Sequence, residues 1–364
     1  MRAIPFFYSL PGIVWTLLVL PPASFSQSVE EILAQVNKVS PAERQRQLEA
    51  GAKKEGKLKF SSNENTDLIQ KYQSGFAARY PFLKVESSRE SGAKGMEKIL
   101  LEHRAGKLDT DMIAVPFETA KYVKREGVWS RYLSPELKNY SSLFKDKDGY
   151  WTANHFNIAV IGYNTRLVKP EEAPKDYPDL LNSKWKGEIL IDLEPDRAVQ
   201  GWLISWGEEK TRAYMKGLMR NGTTVRRGHN LQIQLLCSGE TKVAVEVYAY
   251  RVAQVKNEQR CPAGLSFPNP TPGSPGSQLG VTKNAPHPHA AALFLDFILG
   301  VEGSKLLAST GRLPARRGAK ALYEEVSNLE ERGVNLLMIP VEQADQLNLQ
   351  SKKLIEEILI RRQP

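Results

Sequence analysis

"KLKFSSNENTDLIQKYQSGFAARYPFLKVESS" occupies Lys57–Ser88. Its ends, "KLKFSS" and "LKVESS", alternate apolar and polar residues with the period of a strand. Between them Leu68, Ile69, Tyr72, Phe76 and Tyr80 fall on one side of a helix, which Pro81 stops. A strand, a helix and a strand joined by short links build a parallel sheet. The stretch therefore predicts an α/β fold with its open loops at the carboxyl ends of the strands, where such sheets bind ligands.

The same alternation continues outward. Upstream, 29–54 reads as helix, with Ser40-Pro41 opening a second helical stretch and Gly56 ending it. Downstream, Ser91-Gly92 opens a helix, "TDMIAV" (Thr110–Val115) is a third strand, and another helix follows from Phe117. "HFNIAVIGYN" (His155–Asn164), "EILIDLE" (Glu188–Glu194) and "TKVAVEVYAY" (Thr241–Tyr250) form a second run of strands, with helices at 198–208 and 211–221 among them. After a Pro- and Gly-rich loop over 268–276 come a strand in "SQLGVTKNA" (Ser277–Ala285) and an amphipathic helix from His287 to Ser309. Two sheet-building runs in 364 residues suit two lobes. The expected boundaries are 56–154 with 282–364 for the first lobe and 155–281 for the second, behind an N-terminal helical extension over 27–55.

Arg2, the apolar "FFYSLPGIVWTLLVLPPA" and the small residues Ser24 and Ser26 read as a secretory signal peptide over 1–26. No Cys stands near the cut for a lipid anchor, and no later segment is apolar enough to span a bilayer. The product is expected outside the cytoplasm, periplasmic in a two-membrane cell. There Cys237 and Cys261 stand either as a disulfide worth about 3 kcal/mol or as two buried thiols. The net charge of +9 is spread among acidic residues, with no basic arm or finger spacing, so nucleic acid is not an expected partner. The sequence has no nucleophile-elbow, zinc-protease or P-loop motif.

Several phrases carry a resemblance in their order: "AKKEGKLKFSS", "ESGAKGMEKILLEHRAGKLDTDMI", "AVIGYNTRLV", "YPDLLNSKWKGEI", "SGETKVAVEVYAY" and "NAPHPHAAALFLDFILGVEGSKLL". Over roughly Ala52–Arg317 the chain resembles solute-binding proteins of ABC importers, and among them the periplasmic iron(III)-type branch. The resemblance implies a two-lobed periplasmic-binding-protein-like fold, each lobe a mostly parallel sheet flanked by helices, the lobes joined by crossing hinge strands. It also implies capture of a small solute by hinge closure and delivery to an ABC permease and its ATPase, by a monomer with no required cofactor. Iron(III)-binding members carry adjacent tyrosines at the end of the "VAVEVYAY" strand; here Ala249 separates Tyr248 from Tyr250.

Ligand-binding candidates stand at strand ends and helix starts, where free N–H groups and the helix dipole favour anions. They are Ser61 and Asn63 after the first strand, Ser91 and Gly92 at the next helix, and Glu118 after the third strand. His155 stands beside a hinge strand. Asp192 ends "ILID", and Arg197 and Gln200 open the following helix. Tyr248, Tyr250 and Arg251 end the last strand of the second run; on a continuing strand the two tyrosines face one way. The same phenols are the candidate metal ligands if the cargo is Fe(III), since they are hard oxygen donors. Each of these positions also has a structural reading, as a cap, a packed ring or a solvated charge. Two solutes stay open, ferric iron and an organic anion held by Arg and Ser. The alternative function is an exported enzyme on the same fold acting on a small anionic substrate, with His155 and Ser91 as its pair; a third is a solute-sensing receptor subunit.

Overall fold

In the computed structural model the described residues are 27–90 and 92–361. The expected signal peptide and Ser91 lie outside them. Two helices lead in, α1 (Val29–Val36) and α2 (Pro41–Glu55). Ser40 caps α2 by accepting from Glu43 N–H, Pro41 occupies its first turn, and Gly56 ends it at φ 70°, a conformation open to glycine.

The first sheet then forms from β1 (Lys57–Ser62), α3 (Thr66–Arg79), β2 (Lys84–Arg89), α4 (Gly92–Arg104), β3 (Met112–Val115), α5 (Ala120–Arg125) and β4 (Thr152–Ala153). β1 pairs in parallel with β2 and β3, as the opening stretch predicts. Leu68, Ile69, Tyr72 and Phe76 are the buried side of α3.

Asn154 alone separates β4 from β5 (His155–Asn164), which belongs to the second sheet. The chain goes on through β6 (Ile189–Asp192), α6 (Asp196–Arg220), β7 (Thr224–Arg226), α7 (His229–Ser238), β8 (Val243–Tyr248), α8 (Ala249–Gln259), β9 (Ala263–Ser266) and β10 (Thr271–Pro275). Gly207, at φ 78°, breaks α6 where the sequence reads as two helices. β8 and β7 both pair in parallel with β6, while β5 runs antiparallel to β8. Cys237 and Cys261 are bonded, with 5.2 Å between their Cα atoms, tying the end of α7 to the end of α8.

Two residues after β10 the chain re-enters the first sheet as β11 (Gln278–Val281), antiparallel to β3 and β4. α9 (Pro288–Leu299) and α10 (Val301–Ala308) follow. α9 is buried almost all round because α2 covers one side and the first sheet the other; Phe294 meets Phe60 at 5.3 Å and Phe76 at 4.9 Å. β12 (Leu313–Pro314) crosses back to pair with β5. β13 (Leu336–Met338) pairs with β10, and α11 (Ala344–Ile355) packs on α6. The chain's last stretch thus lies on the second sheet, where the expected boundary put all of 282–364 with the first lobe.

β10 is a second difference. The stretch "TPGSP" reads as loop, yet it is a fully buried strand between β5 and β13. Neighbours on both sides override the local preference against strand. Two sheets flanked by helices and joined by three crossings give the α/β two-lobed architecture. No helix among the described residues is long and apolar enough to cross a membrane.

Candidate functional site

Strand ends and helix starts of both lobes meet around a cavity of about 580 Å³. The first lobe supplies Asn65 and Asp67, at the start of α3; the second supplies Gly228 and His229 at the start of α7, and Tyr248, Tyr250 and Arg251 at the start of α8. Thr310 and Arg312 come from the third crossing. A smaller cavity of about 140 Å³ shares Arg312 and reaches the crossings themselves, with Asn63, Glu64, Glu118, His155, Arg197 and Ser277 among its lining residues.

Tyr248 ends β8, and Tyr250 lies on the first turn of α8 rather than on a continuing strand. Both rings still line one cavity because the chain turns about the buried Ala249. They stack with centroids 6.0 Å apart and planes 18° from parallel. The Tyr248 hydroxyl accepts from Arg197 Nη1 at 2.7 Å, and His229 Nε2 is 3.5 Å away. Burial pushes the Tyr248 phenol up, against the pull of the Arg197 cation.

Arg197 makes the widest set of contacts. Its Nε donates to Ser274 Oγ at 2.9 Å on β10, and its Nη2 to Glu118 Oε1 at 3.2 Å in the first lobe. Its backbone N–H donates to the buried Glu246 carboxylate at 3.0 Å. Burial raises the Glu246 carboxyl well above the ordinary range, and Arg197 opposes that shift.

The other charges are organised around Glu64, which is 6% exposed. Its carboxylate accepts from Ser277 Oγ, pairs with Arg312 at 3.0 Å and lies 3.6 Å from His155 Nε2. His155 Nδ1 is 2.8 Å from Asn154 Oδ1. Burial lowers the His155 pKa to about 4, against the raising effect of Glu64, so the ring is neutral at pH 7. Arg312 also lies 5.7 Å over the Tyr250 ring, which connects this cluster to the larger cavity.

Of the remaining sequence candidates, Asn63 lines the small cavity with its side-chain oxygen buried and unpaired, and Arg251 lines the large one. Asp192 acts one step back: it accepts from Gly228 N–H at 2.8 Å and holds the turn that brings in His229. Burial lowers the His229 pKa, against the pull of Asp192. Ser61 is inside β1, not after it, and its hydroxyl meets Ser88 at 3.0 Å and Thr110 at 3.3 Å. Gly92 and Gln200 line neither cavity; Gln200 is buried on α6. His287 and His289 face separate carboxylates, Asp111 at 2.9 Å and Glu55 at 2.7 Å, which makes them structural.

Sequence reasoning missed His229, Glu64, Glu246 and Arg312. The Gly-His opening of α7 is the same signal that marked Ser91-Gly92. Nothing local marks Arg312, an arginine in a turn far along the chain from the tyrosines.

A second hollow of about 470 Å³, lined by Phe144, Phe156 and Leu313 together with Arg317, Glu330 and Glu331, lies on the other side of β5, since Phe156 and His155 face opposite ways.

A family profile described as bacterial extracellular solute-binding protein matches residues 117–346. Among curated proteins, Iron uptake protein A1 of Synechocystis sp. is 28% identical over 200 residues, 51% of this chain and 55% of that protein. The chain thus spans about half the length of that relative. Among solved structures, the ferric binding protein from Campylobacter jejuni superposes with a TM-score of 0.69 at 22% identity, covering 83% of this chain and 99% of that one. AfuA from Actinobacillus pleuropneumoniae, bound to fructose-6-phosphate, superposes with a TM-score of 0.66 at 22% identity, covering 84% and 98%. These likenesses carry the two-lobed periplasmic-binding-protein fold.

Proposed function

The chain belongs to the bacterial extracellular solute-binding proteins, and from that premise we propose that it is the solute-binding component of an ABC-type importer whose cargo is ferric iron. The lobes close on the cargo, and the closed form docks on a membrane permease served by its ATPase. The protein works as a monomer outside the cytoplasm, after loss of residues 1–26, with no resident cofactor. One observation carries the ferric reading: two phenols, Tyr248 and Tyr250, stack on one wall of the interlobe cavity with the His229 imidazole beside them. Phenolates are hard donors that suit a small, highly charged cation. His229, kept neutral by burial, is a further nitrogen donor or the acceptor of a displaced phenol proton. The Arg251 and Arg312 cations on the same cavity suit an accompanying anion.

Binding iron through a phenol whose pKa is raised must release its proton, so affinity rises with pH. Ferric nitrilotriacetate added to the purified protein should raise a phenolate-to-iron absorption band in the visible. Tyr248→Phe should remove most of that band and weaken iron binding at least tenfold. A protein that stays colourless after loading rules the ferric reading out.

The spacing by Ala249 favours a second reading. Two phenols that are not adjacent, together with Arg197, Arg251 and Arg312, also suit an organic anion. Heat on titration with a sugar phosphate, without colour from iron, would select it. Against an enzyme, His155 is committed to Asn154 and Glu64 inside the hinge. We assign it a structural role.

A further inference from the structure

The third crossing has α10 before it and residues 316–322 after it, and a hollow of about 510 Å³ lies between these two flanks. Pockets for small molecules run from about 300 to 1,000 Å³. Val301, Lys305 and Ala308 stand on one face of α10, at spacings of four and three. Arg317, Lys320 and Leu322 belong to the opposite wall. That wall is fixed to the first lobe: Arg316 makes a β-bridge with Tyr140, and Arg317 N–H donates to the Asn139 carbonyl at 2.9 Å.

Two properties set this hollow apart. Its large apolar side chains are left uncovered, Val301 54% and Leu322 52% exposed. Such side chains gathered around a hollow, rather than scattered singly, mark a binding surface. Its charge is also of one sign. Lys305, Arg317 and Lys320 make no ion pair among the described residues, and no carboxylate lines the hollow. Two acids that could have answered them are engaged elsewhere: Glu302 of α10 pairs with Arg79 at 2.9 Å, and Glu136 with Arg316 at 2.9 Å. Arg316 Nε, in the same wall, is buried with no acceptor among the described residues, whereas a buried donor ordinarily has one. The hollow of about 470 Å³ shares Arg317, Ala319 and Ala321 with this one but carries Glu330 and Glu331. It holds both signs of charge, and the hollow beside α10 holds only cations.

We infer that the hollow beside α10 is a second binding site, separate from the interlobe cavity, for a free amphiphilic anion: an apolar chain or ring ending in a carboxylate. The apolar body lies against Val301, Ala308 and Leu322, and the head meets Lys305, Arg317 and Lys320. A concave site admits one such molecule, whereas a bilayer needs a flat or convex face. Octanoate, kept below its micelle concentration, is the probe, and octanol is its neutral counterpart. In calorimetry on the full chain, octanoate should saturate one site per molecule and bind at least tenfold more tightly than octanol. It should bind about tenfold more tightly than hexanoate, which lacks two methylenes. Lys305→Gln, Arg317→Gln and Lys320→Gln together should weaken octanoate at least tenfold and leave octanol unchanged. The three side chains are exposed and unpaired, so the variant's Tm should stay where it is. Absence of saturable heat, equal binding of octanoate and octanol, or a triple variant that binds octanoate as well as the unaltered protein would overturn the inference. Sedimentation with phosphatidylglycerol vesicles without octanoate binding would also overturn it, assigning the surface to a membrane. None of these measurements uses iron: a colourless protein would end the ferric reading and leave this site standing.

Discussion

His155 is 2% exposed, and its pKa of about 4 has a consequence for acid stability. An unfolded histidine titrates near pH 6.5, so between about pH 6.5 and 4 the unfolded chain holds the proton and the folded one does not. Stability therefore falls as pH drops through that window, by roughly 2 kcal/mol at pH 5 and roughly 3 kcal/mol in full. The neighbouring Glu64, whose carboxyl is held below its usual range despite burial because the Arg312 cation and the Ser277 hydroxyl outweigh it, adds its own loss only at lower pH. Urea melts at pH 7 and pH 5 should show His155→Gln losing much less stability over that interval than the unaltered protein. Equal losses in both would mean that the ring is not the group titrating. At this scale the sequence was partly legible. Tyr248 and Arg197 stand where a strand ends or a helix begins, and such places can be read one at a time. Glu246 was not legible, because it is the extra residue of a bulge in β8 against β5, and a bulge exists only in the pairing of two strands. Arg312 was not, because only the third crossing brings it to Tyr250.

The helical extension shows what an element contributes. α2 lies along α9, and Arg44 passes into the contact to pair with Asp296 at 2.8 Å and to donate to the Tyr132 hydroxyl. Tyr132 donates in turn to Asp296 at 2.8 Å. Burial raises the Asp296 carboxyl even with this cation beside it, so removing Arg44 leaves a buried charge without its partner. Breaking one side of a buried pair costs about 3–5 kcal/mol, whereas an exposed pair is worth about 0–1 kcal/mol. Arg44→Ala should therefore lower the denaturation midpoint strongly. Arg46→Ala, which removes a surface partner of Glu43, should barely move it. Comparable effects from the two would show that the extension is not docked through this pair. The helices themselves were legible from their spacing and from the Ser-Pro and Gly signals at their ends. Which face of α9 accepts α2 was not, since α9 is apolar almost all round and its pattern names no partner. The same limit hid β10, a strand made by its neighbours.

Across the whole molecule, three passages of the chain between the sheets converge on one carboxylate. His155 from the first, Ser277 from the second and Arg312 from the third all meet Glu64 of the first lobe. The passages run so close that a Cβ on Gly276 would fall 2.2 Å from the His155 ring, which is why that crossing carries a glycine. Away from this pivot, two ion pairs tie the lobes. Arg197 of α6 reaches Glu118 beside the cavity, and Asp345 of α11 reaches Lys121 at 3.3 Å. Glu118 is about one-third exposed, so its pair contributes on the order of 0.5–1 kcal/mol to closure. That amount shifts an open–closed equilibrium by roughly two- to fivefold. Glu118→Gln should therefore enlarge the solute-free radius of gyration in X-ray scattering and increase the compaction on adding solute. Affinity should weaken by the same roughly two- to fivefold, because closure is part of binding. The denaturation midpoint should hardly change, since neither lobe's core is touched. A variant with unaltered scattering and unaltered affinity would show that the Arg197–Glu118 pair does not hold the lobes together, and that closure is governed at the pivot around Glu64.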